Sequence, residues 1–221
     1  GPHIATNAYE VGDLNAGLEK STNLDLGVKW KQGANNLALS AFINQFDNYL
    51  SLESTGQMRG DAMDLPEYLY TPTRARFAGL EASAAVRLLE VGQTLDLRLR
   101  ADVVRASDTR TGQPLPRIAP VRLGASLLWA QGPWNARLDA NHVTAQTDVP
   151  AQELPTGAYT LVNASLSYHQ ALPTASLMWF AKLENLGDTL AYSPTSILTQ
   201  TAPGKSPLPG RTLKLGVQVA F

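Results

Sequence analysis

The sequence predicts an all-β protein, an antiparallel transmembrane β-barrel. Three observations carry this. Nine stretches alternate apolar and polar residues with period two, their connections alternate short and long, and charges gather on one side of the alternation. The last stretch, Arg211 to Phe221, shows the pattern most plainly. Leu213, Leu215, Val217, Val219 and Phe221 share one face, with Thr212, Lys214, Gly216, Gln218 and Ala220 on the other. A tilted strand of about 9–11 residues crosses a bilayer. As a terminal strand it is expected to join a first strand, where a soluble sheet would leave an edge needing protection.

Composition agrees. The 221 residues suffice for one large domain or two small ones. With 44% hydrophobic residues, a mean hydropathy of −0.13 and no run of about 18 apolar residues, no ordinary transmembrane helix is expected. Strands of a barrel escape that test, because every second residue can be polar. A net charge of −1 gives no reason to expect a nucleic-acid partner. The absence of cysteine excludes disulfides and thiolate metal sites. The opening GPHIATNAYE has neither an initiator Met nor a charged-then-apolar leader, so the chain is expected to be a piece of a longer protein.

Residues 1–20 read as loop. The first strand is Ser21 to Trp30, with Leu24, Leu26, Val28 and Trp30 opposite Asn23, Asp25, Gly27 and Lys29. KQGANN turns the chain into a second strand from Leu37, alternating through Leu39, Ala41 and Ile43. Its end, QFDNYLSL, loses the alternation and is placed beyond the bilayer, followed by a long polar stretch from Glu53 to Pro72. The third strand, about Thr73 to Leu88, sets Ala78, Leu80, Ala82, Ala84 and Val86 against Gly79, Glu81 and Ser83. The fourth, Leu95 to Arg105, is the cleanest of the interior. Leu95, Leu97, Leu99, Ala101 and Val103 alternate with Asp96, Arg98, Arg100 and Asp102, a set that a helix would scatter around its circumference.

The fifth strand runs from Val121 to Trp129, with Arg122 on its polar side. The sixth runs from Trp134, with Arg137 and Asp139 on that side. The seventh carries Val162, Ala164, Leu166 and Tyr168. The eighth, from Ser176, carries Leu177, Trp179, Ala181 and Leu183 against Lys182 and Glu184. The expected long connections are 53–72, 106–117, 147–158 and about 187–210; KQGANN and 89–93, 131–133 and 169–174 are short. Short turns on the periplasmic side and long loops outside are the outer-membrane pattern. Trp30, Trp129, Trp134 and Tyr168 fall beside the short turns, as an interfacial aromatic girdle would.

The long loops with residues 1–20 hold eleven acids (Glu10, Asp13, Glu19, Glu53, Asp61, Asp64, Glu67, Asp108, Asp148, Glu153 and Asp188) and five bases, a net of −6. Most strand charges face the expected lumen. On the lipid face an Arg or Lys would cost roughly 2–4 kcal/mol at mid-membrane. A soluble antiparallel sandwich also alternates, but has no reason to sort loop lengths by side.

Three stretches resemble the C-terminal barrel of TonB-dependent outer-membrane receptors. In Tyr9 to Trp30, Glu10, Gly12, Leu18, Glu19, Ser21, Asn23, Asp25 and Gly27 match a family pattern, with Asp13-Leu14 where Asn-Pro is usual. LENLGDTLAY, Leu183 to Tyr192, is similar to the family's Glu-Asn-Leu-Phe-Asp-x-x-Tyr, with Gly187 in place of Phe. LPGRTLKLGVQVAF, Leu208 to Phe221, resembles the family's Pro-Gly-Arg lead into a last strand ending on Phe. The resemblance implies that residues 1–221 are the C-terminal part, about nine strands, of a larger barrel of about 22. The plug and first strands would lie outside the chain.

It further implies a multi-pass protein of a Gram-negative cell outer membrane. Such a receptor binds a scarce nutrient (ferric siderophore, haem or metal ion) and imports it with energy from the TonB complex, reached through the missing N-terminal part. Outer-membrane lipid and the barrel assembly machinery are the other implied partners. A passive porin or adhesin barrel, or a soluble β-sandwich binding module, are the alternatives.

The candidate sites follow. Glu81, Asp96, Arg98, Arg100, Asp102, Arg122, Arg137, Asp139, Lys182 and Lys214 are the lumen row, positioned to meet the plug or guide cargo, or simply to compensate one another. Lys214, Gly216, Val219 and Phe221 resemble the terminal signal read by the assembly machinery, with Val219 where an aromatic is common. His3 with Glu10 is the candidate metal pair, since imidazole and carboxylate both ligate zinc. His142, near the outer rim, and His169, in a short turn, should lie on opposite sides of the membrane, so the three histidines are not expected to form one cluster. No Gly-x-Ser-x-Gly elbow or P-loop is present, so neither an enzyme nor a cofactor is expected.

Overall fold

The computed structural model describes residues 1–60 and 64–221; Asp61, one of the loop acids named above, lies outside them. Among the described residues eleven strands form one sheet. They are β1 (Pro2–His3), β2 (Ala8–Val11), β3 (Lys20–Gln32), β4 (Asn35–Arg59), β5 (Leu65–Leu89), β6 (Thr94–Asp108), β7 (Arg122–Gln131), β8 (Trp134–Val143), β9 (Tyr159–Ala171), β10 (Ser176–Glu184) and β11 (Thr212–Ala220). One short helix, α1 (Leu198–Thr201), interrupts the connection before β11.

From β3 to β11 each strand pairs antiparallel with its successor. The register carries the alternation across the whole sheet. Val28, Leu39, Ala82, Ala101 and Leu123 form one apolar row. Leu127, Leu138, Ala164, Leu183 and Leu213 form another. This face is exposed from edge to edge: Leu26 is 72% accessible, Leu80 60% and Leu215 71%. Toward the short turns, Trp134, Tyr168 and Trp179 stand in one row, with the Trp134 and Tyr168 rings 4.7 Å apart.

The sheet does not close. β1 pairs only with β2, β3 only with β4 and β11 only with β10, so the described residues form an open sheet with free edges at these three strands. This corrects the expectation of a transmembrane barrel. Alternation and hairpin order dictate which face is apolar and which neighbours pair. Closure depends on strand number and stagger, which no local pattern encodes. The sheet is also not wholly antiparallel, because β2 pairs in parallel with β5 through Tyr9 opposite Glu67 and Val11 opposite Leu69.

Two stretches read as loop are strand. The expected polar loop 53–72 is largely the outer half of the β4–β5 hairpin, in which β4 runs to Arg59 and β5 begins at Leu65. The reading failed at a bulge. Phe46 faces Ala75 and Tyr49 faces Thr73, so Asp47 and Asn48 together oppose Arg74. The extra residue reverses the in–out parity of β4 beyond it, which is why QFDNYLSL appears aperiodic. Residues 1–20 are likewise not all loop. β6 reaches only as far as Ala75 of β5, and the edge of β5 beyond it is taken by β2.

The core sits at this long-connection end. Ala75, Ala106 and Leu115 are buried, with Phe46, Tyr49, Phe77 and Ile118 packed around them. The rings of Phe46, Tyr49 and Phe77 meet edge-on at 5.2–5.5 Å.

Candidate functional site

The polar face of the sheet is a ladder of side-chain contacts, most of them between strands. Arg122 donates from Nε to Asp102 at 2.7 Å. Arg137 grips Asp139 with two bonds, each 2.7 Å, and Asp139 also accepts from Ser126. Lys214 Nζ lies 2.8 Å from both carboxylate oxygens of Glu184. Arg100 donates to Asn141, and Asp96 accepts from Arg87. Lys182 stands 5.3 Å from the centre of the Phe180 ring. Glu81 lies opposite Asp102 and Arg98 opposite Ser126; neither makes an ion pair among the described residues.

Of the ten lumen residues read from sequence, the structure joins Asp102 to Arg122 and Arg137 to Asp139. The partners Arg87, Ser126, Asn141 and Glu184 were missed. They become visible only when the register sets one strand beside another.

The terminal signal residues divide between faces. Lys214 and Gly216 are on the polar face, Val219 on the apolar one, and Phe221 is fully exposed just past β11. Gly216 has a packing reason of its own: a Cβ there would sit 2.4 Å from the Phe180 ring that covers it. The two C-terminal motifs meet in a knot. Asn185, 3% exposed, donates to the carbonyls of Thr189 and Pro209 and accepts from the Thr189 amide at 2.9 Å. Asp188 accepts from the Arg211 amide at 3.0 Å. The exit of β10 is thereby tied to the start of β11.

At the long-connection end the segments interlock. Thr201 Oγ1 donates to Thr6 O at 2.6 Å, and Asn7 donates to Thr201 O. Gln200 brackets the backbone of Leu154. The neighbouring Glu153 accepts from Arg117 Nη1 at 2.7 Å, and Arg117 also donates to Leu52 O. The Glu153 side chain is 1% exposed and Arg117 16%. Burial pushes the Glu153 carboxyl above the ordinary glutamate range, against the opposing pull of Arg117.

His3 and Glu10 come together across the β1–β2 hairpin at 3.6 Å, bridged by Thr6. Tyr70 donates to the other Glu10 oxygen at 3.4 Å. Among the described residues no group of three or more His, Cys, Asp or Glu is placed to hold a metal. His142 bonds Thr160, and His169 faces Met178 near the other end of β9.

A meander with one exposed apolar face, an opposite charged face, short turns at one end and long connections at the other is the class of sheet used by outer-membrane proteins. Residues 2–186 match the family described as TonB dependent receptor-like, beta-barrel, and the chain belongs to that family. Its fold is shared with the copper transporter OprC, at 18% identity and a TM-score of 0.70 over 91% of this chain and 31% of that one. The ferric yersiniabactin uptake receptor of Yersinia pestis matches at 19% identity and a TM-score of 0.57, over 90% of this chain and 28% of that one. The ferric enterobactin receptor of Pseudomonas aeruginosa matches at 18% and 0.62, over 91% of this chain and 31% of that one. The chain thus spans about a third of the length of the solved receptors it matches.

Proposed function

We propose that this chain is the C-terminal segment of a TonB-dependent outer-membrane receptor, with the plug and the TonB-binding segment outside it. The receptor binds a scarce nutrient (a ferric siderophore, haem or a metal ion) at the cell surface and imports it with energy supplied by TonB. The observation that carries this reading is the two-faced sheet. Its apolar face is too large and continuous to be left to water and suits lipid, while its charged face suits a water-filled or plugged interior. Family membership and the uptake roles in the names of the matched structures point the same way.

The lumen row, including Glu81, Arg98 and Lys182, meets the plug in this reading. The terminal strand carries the assembly signal. His3 with Glu10 supplies two ligands at the outer surface. The test is uptake by cells with and without the full-length protein, offering labelled iron chelates, haem, copper and zinc, each with and without TonB. A loss of one cargo that requires TonB is the expected result. A loss indifferent to TonB would mean a passive pore instead.

A further inference from the structure

Four of the arginines on the polar face of the sheet have partners: Arg87, Arg100, Arg122 and Arg137 each meet an acid or an amide. Two on the opposite face do not. Ile43, Ala78 and Arg105 stand in one row across β4, β5 and β6, and Gln45, Arg76 and Ser107 in the next row toward the long connections. Paired residues share a face, so Arg76 and Arg105 project on the apolar side, as diagonal neighbours about 7–8 Å apart. Both are exposed, and neither makes an ion pair or side-chain hydrogen bond among the described residues. Arg74, also exposed, follows two residues beyond Arg76, beside the bulge that holds Asp47.

Directly below Arg105 the apolar face is hollow. Ala82 and Ala101 lie between Leu26, Leu39, Leu80 and Val103, leaving a shallow apolar groove of about 470 Å³. Guanidinium groups on a lipid-facing surface are tolerated where the apolar band ends, with stems along the apolar surface and heads in the polar layer. Two unneutralised guanidinium groups above an apolar groove match a molecule with a phosphate at one end and hydrocarbon chains at the other. Arginine grips phosphate with paired hydrogen bonds.

The site lies at the long-connection end, the outer leaflet in the receptor reading on which this inference rests. There the phosphorylated lipid is lipopolysaccharide. We propose that Arg76 and Arg105, with the groove beneath them, bind the phosphorylated headgroup and an acyl chain of lipopolysaccharide.

The test extracts the full-length receptor from outer membranes in mild detergent and measures phosphorylated lipid A retained per molecule by native mass spectrometry. The wild type is expected to retain it, and Arg76→Gln with Arg105→Gln to retain about tenfold less or lower still. Arg76→Lys with Arg105→Lys should fall between, and Lys205→Gln should match the wild type. Delipidated wild type should rebind lipid A in preference to phosphatidylglycerol. Equal retention by wild type and the Gln pair, or equal binding of the two lipids, overturns the proposal. Should the Gln pair not reach the membrane, a salt titration of the wild type decides, and retention indifferent to salt overturns it. A wild-type protein missing from the outer-membrane fraction overturns the receptor reading itself.

Discussion

Among the described residues, the sheet between the short turns and the level of Arg76 has no buried residue, whereas the cap at its long-connection end holds those that are buried. Ala8, Leu65, Tyr68, Leu115, Glu153 and Ala191 are all in the cap, while Leu26 and Leu215 in the sheet are more than two-thirds exposed. The cap is held as a small globular protein is held, by burial, ring contacts and hydrogen bonds, although the hydroxyls of Ser51, Thr156 and Ser206 and one Glu153 oxygen are buried without a partner. The sheet is held within the chain only by its ladders and cross-strand pairs. Its apolar face needs a second apolar phase, and the same sequence therefore answers to two solvents.

Substitutions in three places sharpen that contrast. The largest effect is expected in the cap. Glu153→Ala leaves Arg117 buried without its carboxylate, a loss on the order of 3–5 kcal/mol, read as a lower midpoint of thermal unfolding of the detergent-solubilised full-length protein. The sign of the pH dependence is fixed by the raised Glu153 pKa. Below the ordinary glutamate range the carboxyl is protonated in both folded and unfolded chains. As pH rises through the higher folded value, the wild type loses stability relative to Glu153→Gln. A difference that grows in favour of the wild type with rising pH would contradict the burial argument.

Next comes the apolar face. Leu80→Arg should cost roughly 2–4 kcal/mol in a bilayer, seen as loss of the heat-modifiable folded band, while Met58→Arg on the exposed outer hairpin should cost little. Equal tolerance at both positions would remove the case for lipid contact. The smallest effect is expected at the junction of the two regions. Asn185→Ala removes three side-chain hydrogen bonds and leaves the Pro209 and Thr189 carbonyls without them, a loss of about 1–3 kcal/mol. Its readout is faster proteolysis within 186–211 while the rest of the chain stays resistant.

The regions also differ in how far sequence reveals them. Leu95 to Val103 and Asp96 to Asp102 are legible because period-two alternation is local, and their faces come out as read. The motifs around Asn185 and Asp188 were recognisable as resemblances, but their shared task of clamping β10 to β11 needs residues more than twenty positions apart. In the cap the pattern fails: the bulge at Asp47 and Asn48 reverses parity, and β2 finds β5 across more than fifty residues. The Arg117–Glu153 pair joins two connections that share no periodicity at all.

What the sequence by itself determined is the set of strands from Ser21 onward, the sorting of apolar and charged residues to opposite faces, and the family motifs. All three depend on neighbours one, two or a few residues apart. Only the tertiary structure decided that the sheet stays open, that most of the 53–72 stretch is strand, and which partners Arg87, Arg100, Arg122 and Arg137 meet. It also decided that Arg76 and Arg105 stand together without a partner among the described residues. Those outcomes depend on register, bulges and edge pairing, which bring distant residues together and leave no trace in local alternation.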